Sequence, residues 1–273
     1  MRPEQSVVRH SIVELADGTA LAVQESGRAD APALLLLQGQ ANSHTWWTRL
    51  RERFADTHRT ITFDYRGTGG TRAAEDKWST SLFADDAREV LDASGVPRAF
   101  VYGTSMGGRV AQMLAIQSPG HVERLVLACT SPGGVVAVER SQEVRRELSQ
   151  PDPRERTRAL LRLMYTPDWF GHGRCSQLLG DPTMTSRAQA LHLRVSARHD
   201  AADRLGEVAV PTLVMHGSDD LMAPVVNAQL IAERIRGAEL VTTTAGRHGF
   251  FDEFAGDVSS TVRRFLRGRA GDV

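Results

Sequence analysis

Three residue types that together can cleave acyl bonds occur in separate, glycine-containing stretches of the chain. Ser105 is the centre of Gly-Thr-Ser-Met-Gly, Asp220 ends Gly-Ser-Asp-Asp, and His248 lies in Gly-Arg-His-Gly-Phe. A serine hydroxyl is a poor nucleophile at neutral pH, so it needs a base to take its proton and a carboxylate to orient that base. We therefore interpret Ser105 as a covalent nucleophile, His248 as its base and Asp220 as the orienting acid.

The acid and the base each have a competitor close by in the sequence. Asp219 precedes Asp220, but the acid of such loops stands four residues before a proline, here Pro224, which favours Asp220. Asp219 would then cap or solvate the turn. Of the nine histidines, His248 is the one in a glycine-flanked loop after the last predicted strand. His216 ends the strand that precedes the acid, and we interpret it as structural.

Two backbone amides are candidates for an oxyanion hole. Acyl transfer puts negative charge on the former carbonyl oxygen, and each N–H group aimed at it can contribute about 3 kcal/mol. Met106 follows the serine at a predicted helix start, where the helix dipole also favours an anion. The second donor is expected from Gln-Gly-Gln-Ala-Asn at 38–42, with Gln40 first and Ala41 as the alternative.

The loops that carry these residues must meet at one edge of a sheet. Short apolar runs alternate with helical patterns, which indicates an α/β fold with a mainly parallel eight-stranded sheet and helices on both faces. The first two strands form a hairpin. The predicted strands are 11–15, 19–24, 33–37, 60–64, 100–103, 125–129, 211–215 and 239–241, and the predicted helices are 81–94, 106–118, 225–235 and 258–266. Because parallel strands end at the same edge, distant residues can converge there.

The segment 132–205 has a different pattern. It contains no strand-like run, and its apolar residues stand in Arg- and Glu-rich helical contexts interrupted by Pro151 and Pro153. We interpret it as a helical cap, or lid, inserted between two parts of one core, 1–131 and 206–273. The alternative is a set of further helices in the main layer, since charged amphipathic helices look alike in both roles.

Composition narrows the classes of partner. The 33 basic and 33 acidic side chains cancel, so neither nucleic acid nor an anionic membrane is an expected partner. Cys129 and Cys175 fit neither a disulfide framework nor a metal-ligand spacing, and we expect no metal and no organic cofactor. Met1–Gln5 lead into no apolar signal region, and the run 33–37 is too short to span a bilayer. We expect a cytoplasmic protein with a small-molecule substrate.

Two further motifs relate the chain to a known family. Asp-Tyr-Arg-Gly-Thr-Gly-Gly-Thr at 64–71 is similar to an Asp-x-Arg-Gly-x-Gly-x-Ser turn, and Val-Pro-Thr-Leu-Val-Met-His-Gly at 210–217 is similar to a strand before the acid. With the Gly-x-Ser-x-Gly, they make the chain resemble the α/β-hydrolase superfamily over about 11–266. Two positions depart from its usual pattern: Gln38 stands where His is common, and Thr71 where Ser is common.

Within that superfamily, the Ser-Met-Gly-Gly sequence resembles small capped esterases, enol-lactonases and anthracycline methylesterases. It also resembles carbon–carbon bond hydrolases and cofactor-free perhydrolases. A serine at position 105, rather than the aspartate of dehalogenases and epoxide hydrolases, favours acyl chemistry. The resemblance implies hydrolysis of a small to medium carboxylic ester, lactone or thioester; the alternatives are the carbon–carbon hydrolase or perhydrolase, and a non-catalytic ligand-binding protein of the same fold.

A moderately apolar substrate would need an apolar pocket. The candidates lie in the cap and in the loops that follow the strands, and each could instead serve only in packing. They are Trp46, Trp47, Trp169, Phe170, Leu221 and Met222.

Overall fold

A single eight-stranded sheet is the scaffold of the computed structural model, which describes residues 7–268. Its strands are β1 (Arg9–Glu14), β2 (Ala20–Ser26), β3 (Ala33–Leu37), β4 (Arg59–Phe63), β5 (Ala99–Thr104), β6 (Val122–Ala128), β7 (Thr212–Gly217) and β8 (Glu239–Thr243). The spatial order is β1-β2-β4-β3-β5-β6-β7-β8. The pairs that include β1 or β2 are antiparallel, and the others are parallel. The predicted mainly parallel sheet is confirmed.

Helices occupy each connection from β3 onward and the chain after β8. They are α1 (Thr48–Arg51), α2 (Thr80–Ala93), α3 (Met106–Gln117), α4 (Gln142–Leu148), α5 (Pro153–Met164), α6 (Pro167–Phe170), α7 (Ser186–Ala197), α8 (Val226–Arg234), α9 (Phe250–Glu253) and α10 (Ala255–Leu266). The sequence pattern did not reveal α1 or α9, because a four-residue helix is too short to show periodicity. Within the described residues, no helix has both the length and the hydropathy needed to cross a bilayer.

Strand β3 is apolar at every position because both of its faces are covered. Leu34 and Leu36 belong to the hydrophobic cluster on one face of the sheet, whereas Leu35 and Leu37 belong to the cluster on the other. All four are fully buried. Alternate side chains of a strand point to opposite faces, so a strand that is covered on both faces favours apolar residues at successive positions.

Polar residues obscured the start of β6 in the sequence. The strand begins at Val122, whereas the sequence predicted a start at residue 125. The earlier residues were missed because Glu123 is exposed and Arg124 is partly exposed within an otherwise buried strand. The last helix likewise begins at Ala255 rather than 258. Its first turn contains Asp257, whose charge complements the positive end of the helix dipole.

The segment 132–205 is helical, and within the described chain it adds no strand to the sheet. A backbone bridge between Gly133 and Asp200 brings its two ends together. Its side chains continue both cores, since Val195 joins the cluster on one face and Trp169 joins the cluster on the other. The division into core and cap at these limits stays a prediction. Residues 1–6 and 269–273 of the predicted core, which include Met1–Gln5, lie outside the described residues.

An ionic cluster attaches the loop after β4 to α2. Arg66 donates from Nε and Nη2 to the two carboxylate oxygens of Asp86, at 2.8 and 2.7 Å. Its Nη1 also donates to Asp17 and to the Thr19 hydroxyl. Arg66 and Asp86 are both buried. Such a bidentate pair fixes the direction as well as the position of the loop.

The Asp86→Ala substitution should lower the free energy of unfolding by about 3 kcal/mol, because it leaves a buried guanidinium without its bidentate partner. The control is Asp85→Ala at the neighbouring exposed position, where we expect a change below about 0.5 kcal/mol. Urea unfolding monitored by circular dichroism measures both values. Equal losses in the two variants would contradict a structural role for the Arg66 cluster.

Candidate active site

Ser105 occupies a strained turn between β5 and α3. Its backbone has φ 54° and ψ −118°, a region that non-glycine residues rarely adopt. The turn is held from β6 and the loop that follows it. The Ser105 N–H donates to the carbonyl of Ala128 at 2.9 Å, and the Thr130 hydroxyl donates to the Ser105 carbonyl at 2.7 Å. The neighbouring strand therefore supports the strained conformation.

The glycines around Ser105 are required by close backbone contacts. A Cβ atom on Gly103 would lie 2.3 Å from the carbonyl oxygen of Gly107. A Cβ on Gly107 would lie 2.0 Å from the carbonyl oxygen of Leu37, at the end of β3. The Gly-x-Ser-x-Gly pattern thus allows the start of α3 to lie directly against the end of β3.

The side chains of Ser105, His248 and Asp220 form one hydrogen-bonded chain. Nδ1 of His248 lies 2.8 Å from Oδ2 of Asp220, and Nε2 of His248 lies 3.0 Å from Oγ of Ser105. An ionised carboxylate can only accept, so Nδ1 carries the proton and Nε2 is free to accept from the serine hydroxyl. This is the proton arrangement that a general base requires.

Asp220 is held as a buried carboxylate at the end of β7. Its Oδ1 accepts from the amides of Met222 at 2.8 Å and Ala223 at 2.9 Å. Burial alone would raise the pKa of Asp220, but the charge and hydrogen bonds of His248 and His216 hold that pKa well below its usual range. The carboxylate is therefore ionised at neutral pH and can stabilise a protonated His248.

The two competitors occupy different surroundings from the residues preferred in the sequence. Asp219 is exposed and accepts from the Ser218 hydroxyl at 2.7 Å. His216 is buried behind Asp220, with Nε2 at 2.6 Å from the Ala223 carbonyl and 3.2 Å from Asp220 Oδ2. Both partners are acceptors, so Nε2 of His216 is a donor. His216 thus supports the carboxylate and does not contact the serine.

The loop that carries His248 is fixed by the end of α5. The amide of His248 donates to the carbonyl of Leu163 at 3.2 Å, and the amide of Gly249 donates to that of Met164 at 2.8 Å. The 132–205 segment therefore supports one of the three hydrogen-bonded side chains through its backbone.

The loop after β3 lies beside the Ser105 turn. The indole of Trp46, from the far end of this loop, donates to the hydroxyl of Thr104 at 2.9 Å. Within the loop, the Ala41 amide donates to Nδ1 of His192 at 3.2 Å. Ala41 was the alternative to Gln40 as an oxyanion donor. Because its N–H already has a partner, Gln40 remains the candidate in this loop, together with Met106 at the start of α3.

The family was identified by comparison with known proteins. The sequence model of the alpha/beta hydrolase fold matches residues 32–254. The chain belongs to the alpha/beta hydrolase fold family. This confirms the resemblance drawn from the motifs.

Individual relatives of this α/β-hydrolase agree with the family. It is 28% identical over 256 residues to a RutD protein of Rhizobium rhizogenes that carries the provisional name carbamate hydrolase, covering 89% of this chain and 95% of that protein. It is 28% identical to the crystal structure of an esterase from Rhodococcus sp. ECU1013, with a TM-score of 0.81. That match covers 96% of this chain and 98% of the esterase. It is 27% identical to the crystal structure of a hydrolase from Pseudomonas aeruginosa PA01, with a TM-score of 0.82. That match covers 94% of this chain and 98% of the other. The chain is an enzyme of the hydrolase class.

The aromatic residues proposed for a pocket have packing contacts in this α/β-hydrolase. Trp46 stacks on Phe251 with ring centroids 5.5 Å apart, and Trp47 lies 5.1 Å from Tyr102. Trp169 is buried against Tyr165 at 3.9 Å. The remaining three are more accessible: Phe170 and Leu221 are exposed and Met222 is half-buried. As pocket walls, all six remain predictions.

Sequence reasoning missed the side chains that support the predicted site. Thr130 and His192 stand in stretches without a recognisable motif, and His192 is 151 residues away from Ala41. Only in the folded chain does Thr130 lie beside Ser105 and His192 beside Ala41. Among residues 7–268, no group of three or more His, Cys, Asp or Glu side chains is placed to hold a metal ion.

Replacing Gly107 with alanine should destabilise this α/β-hydrolase by at least about 2 kcal/mol, since the new methyl group overlaps the Leu37 carbonyl. Gly120→Ala is the control, because a Cβ there meets nothing within 4 Å, and we expect a change within about 1 kcal/mol. Thermal and urea unfolding measure both effects. A Gly107→Ala protein as stable as Gly120→Ala would refute the close contact.

Proposed function

We propose that the chain is a serine hydrolase that cleaves a small or medium carboxylic ester, lactone or thioester through an acyl-enzyme on Ser105. The observation that carries this proposal is the hydrogen-bonded chain from Ser105 through His248 to the buried carboxylate of Asp220. Oγ of Ser105 lies beside Nε2 of His248, and Nδ1 of His248 lies beside a carboxylate, which is the arrangement that nucleophilic catalysis requires.

In acylation, Oγ of Ser105 attacks the acyl carbon while Nε2 of His248 takes the hydroxyl proton. The resulting imidazolium keeps its Nδ1–H bond to Asp220, whose negative charge stabilises it. His248 then gives the proton to the leaving alcohol or thiol, and the carbon–oxygen or carbon–sulfur bond breaks. In deacylation, His248 takes a proton from water, the hydroxide adds to the acyl carbon, and Ser105 leaves with the proton returned.

Two backbone amides supply the charge stabilisation in this scheme. Met106 is the first residue of α3, so its N–H lies at the positive end of the helix dipole and directly follows the nucleophile. Gln40 lies in the loop that follows β3, whose end contacts the start of α3. The oxygen of the tetrahedral intermediate would accept from both amides.

The names of the relatives support acyl substrates without selecting one. The Rhodococcus structure is that of an esterase, and the RutD proteins carry a name for carbamate hydrolysis. A carbamate carbonyl can be attacked by the same serine, so this class joins esters, lactones and thioesters as a candidate. Carbon–carbon hydrolysis and perhydrolysis need the same triad. A panel that includes β-diketones, and peracid formation from acetate and peroxide, separates these activities.

The Ser105→Ala substitution should lower kcat on an activated ester by roughly 10⁴-fold or more, because the nucleophile is lost. Ser118→Ala, at the opposite end of α3, is the matched control and should retain wild-type activity. Steady-state kinetics with a p-nitrophenyl ester measure both. If Ser105→Ala retained more than a few per cent of kcat, the nucleophile would have to be another residue.

The two adjacent aspartates allow a second matched comparison. Asp220→Asn should lower kcat/KM by roughly 10³- to 10⁴-fold, since an amide can neither fix the His248 tautomer nor stabilise its charge. Asp219→Asn should change kcat/KM by less than about two-fold, because this side chain is exposed and bonded to Ser218. The same ester assay decides the matter. A larger effect at Asp219 would reverse the assignment of the acid.

A further inference from the structure

The 38–42 loop, which follows β3, is fastened by the helical segment as well as by the core. The Ala41 amide donates to Nδ1 of His192 in α7 at 3.2 Å, and the amide of Asp181 donates to the Ala41 carbonyl at 2.7 Å. The amide of Gly180 donates to Oδ1 of Asn42 at 2.9 Å. Three residues between 180 and 192 thus bind two consecutive residues of the loop.

These contacts fix the peptide group formed by the Gln40 carbonyl and the Ala41 amide. The Gln40 N–H belongs to the preceding peptide group, from which only the Cα atom of Gln40 separates it. The Gln40 carbonyl accepts from Nδ2 of Asn42 at 2.8 Å, and the amide on the other side of the same peptide group, that of Ala41, is bound by His192. Ala41 itself has φ 56°, which is unfavourable for a residue with a Cβ. A strained residue keeps its conformation only where its surroundings enforce it.

His192 makes both of its hydrogen bonds as a neutral ring. Nε2 lies 2.9 Å from the carbonyl of Arg66, so it carries the proton, and Nδ1 must then accept from Ala41. The ring is fully buried between Trp78 and Phe83, with centroids at 5.6 and 5.5 Å. Burial lowers the pKa of His192 to about 4, so the ring is neutral at neutral pH.

We propose that His192 is a positioning residue that sets the Gln40 amide for the oxyanion, through its acceptor bond to Ala41 and its donor bond to Arg66. This rests on the proposed function, in which Gln40 supplies one oxyanion donor. His192 does not contact the reacting atoms. The helical segment, which also holds the loop of His248, thereby sets the geometry of a catalytic amide.

The plain alternative is that His192 only fills an aromatic cage. Three variants separate the two roles. His192→Asn keeps an acceptor near the Nδ1 position and loses the Arg66 bond; His192→Gln keeps a donor near the Nε2 position and loses the Ala41 bond. His192→Phe keeps the ring and loses both bonds. Each amide variant loses one bond, so the pair is matched in polarity and in number of bonds removed.

The first readout does not depend on catalysis. Hydrogen exchange, followed by mass spectrometry of peptides that cover 38–45, should be about ten-fold or more faster in His192→Gln and His192→Phe than in the wild type. His192→Asn should remain within about three-fold of the wild type. In wild-type protein labelled with ¹⁵N-histidine, NMR should show His192 neutral with its proton on Nε2 at pH 7. A different tautomer overturns the proposal even if the variants fail to fold.

The second readout is kinetic. His192→Gln and His192→Phe should lower kcat by roughly 10- to 100-fold with KM within about three-fold, because a displaced donor acts on the transition state more than on substrate binding. His192→Asn should recover most of this loss. Equal kcat in all three variants, or rescue by Gln rather than Asn, overturns the proposal. Absence of Ser105-dependent turnover in the wild type would instead refute the proposed function, and the exchange readout would still decide whether His192 holds the loop.

Discussion

The close contact between the end of β3 and the start of α3 is the constraint on which the rest of the site depends. With glycine at 107, the helix can begin against the carbonyl of Leu37, directly after the strained turn at Ser105. The same contact places the loop after β3 beside the serine. One glycine therefore brings together the predicted nucleophile and both predicted oxyanion amides, which stand on different elements.

The orientation of the His248 ring depends on the buried carboxylate of Asp220 remaining ionised. Asp220 has two backbone amides on one oxygen and two histidines on the other. A buried charge without such partners would take up a proton instead. The amides belong to the turn after β7, His216 to β7 itself and His248 to the loop after β8. The carboxylate is thus oriented by the fold alone, so the proposed mechanism needs little reorganisation as charge develops on His248.

The helical segment 132–205 supports the site from two directions. Its α5 end accepts from the amides of His248 and Gly249, and its later part binds Ala41 and Asn42. A change in the packing of this segment would therefore move the loop that carries His248 and the loop after β3 together. In the proposed mechanism these two loops carry the base and one oxyanion amide, so a change in this segment would alter the catalytic rate.

Much of the fold was predictable from local patterns, because strands such as β3 are continuous apolar runs and the glycines around Ser105 have a specific geometric cause. Asp220 could be preferred over Asp219 from its spacing to Pro224. The supporting residues could not be predicted in this way. His192 looks like any histidine of an amphipathic helix, and its function depends on a loop 151 residues away. The start of β6 was missed because Glu123 and Arg124 interrupt its apolar pattern.

The proposed mechanism requires that an acyl group is transferred to Ser105. The most direct measurement is mass spectrometry of the enzyme quenched in acid during turnover of a slowly deacylating aryl ester, followed by peptide mapping. We predict a mass increase equal to the acyl group less the hydrogen it replaces, on the peptide that contains Ser105, and its disappearance as the ester is consumed. Turnover with the acyl group on another residue, or with no acylated protein when deacylation is rate-limiting, would refute covalent catalysis by Ser105.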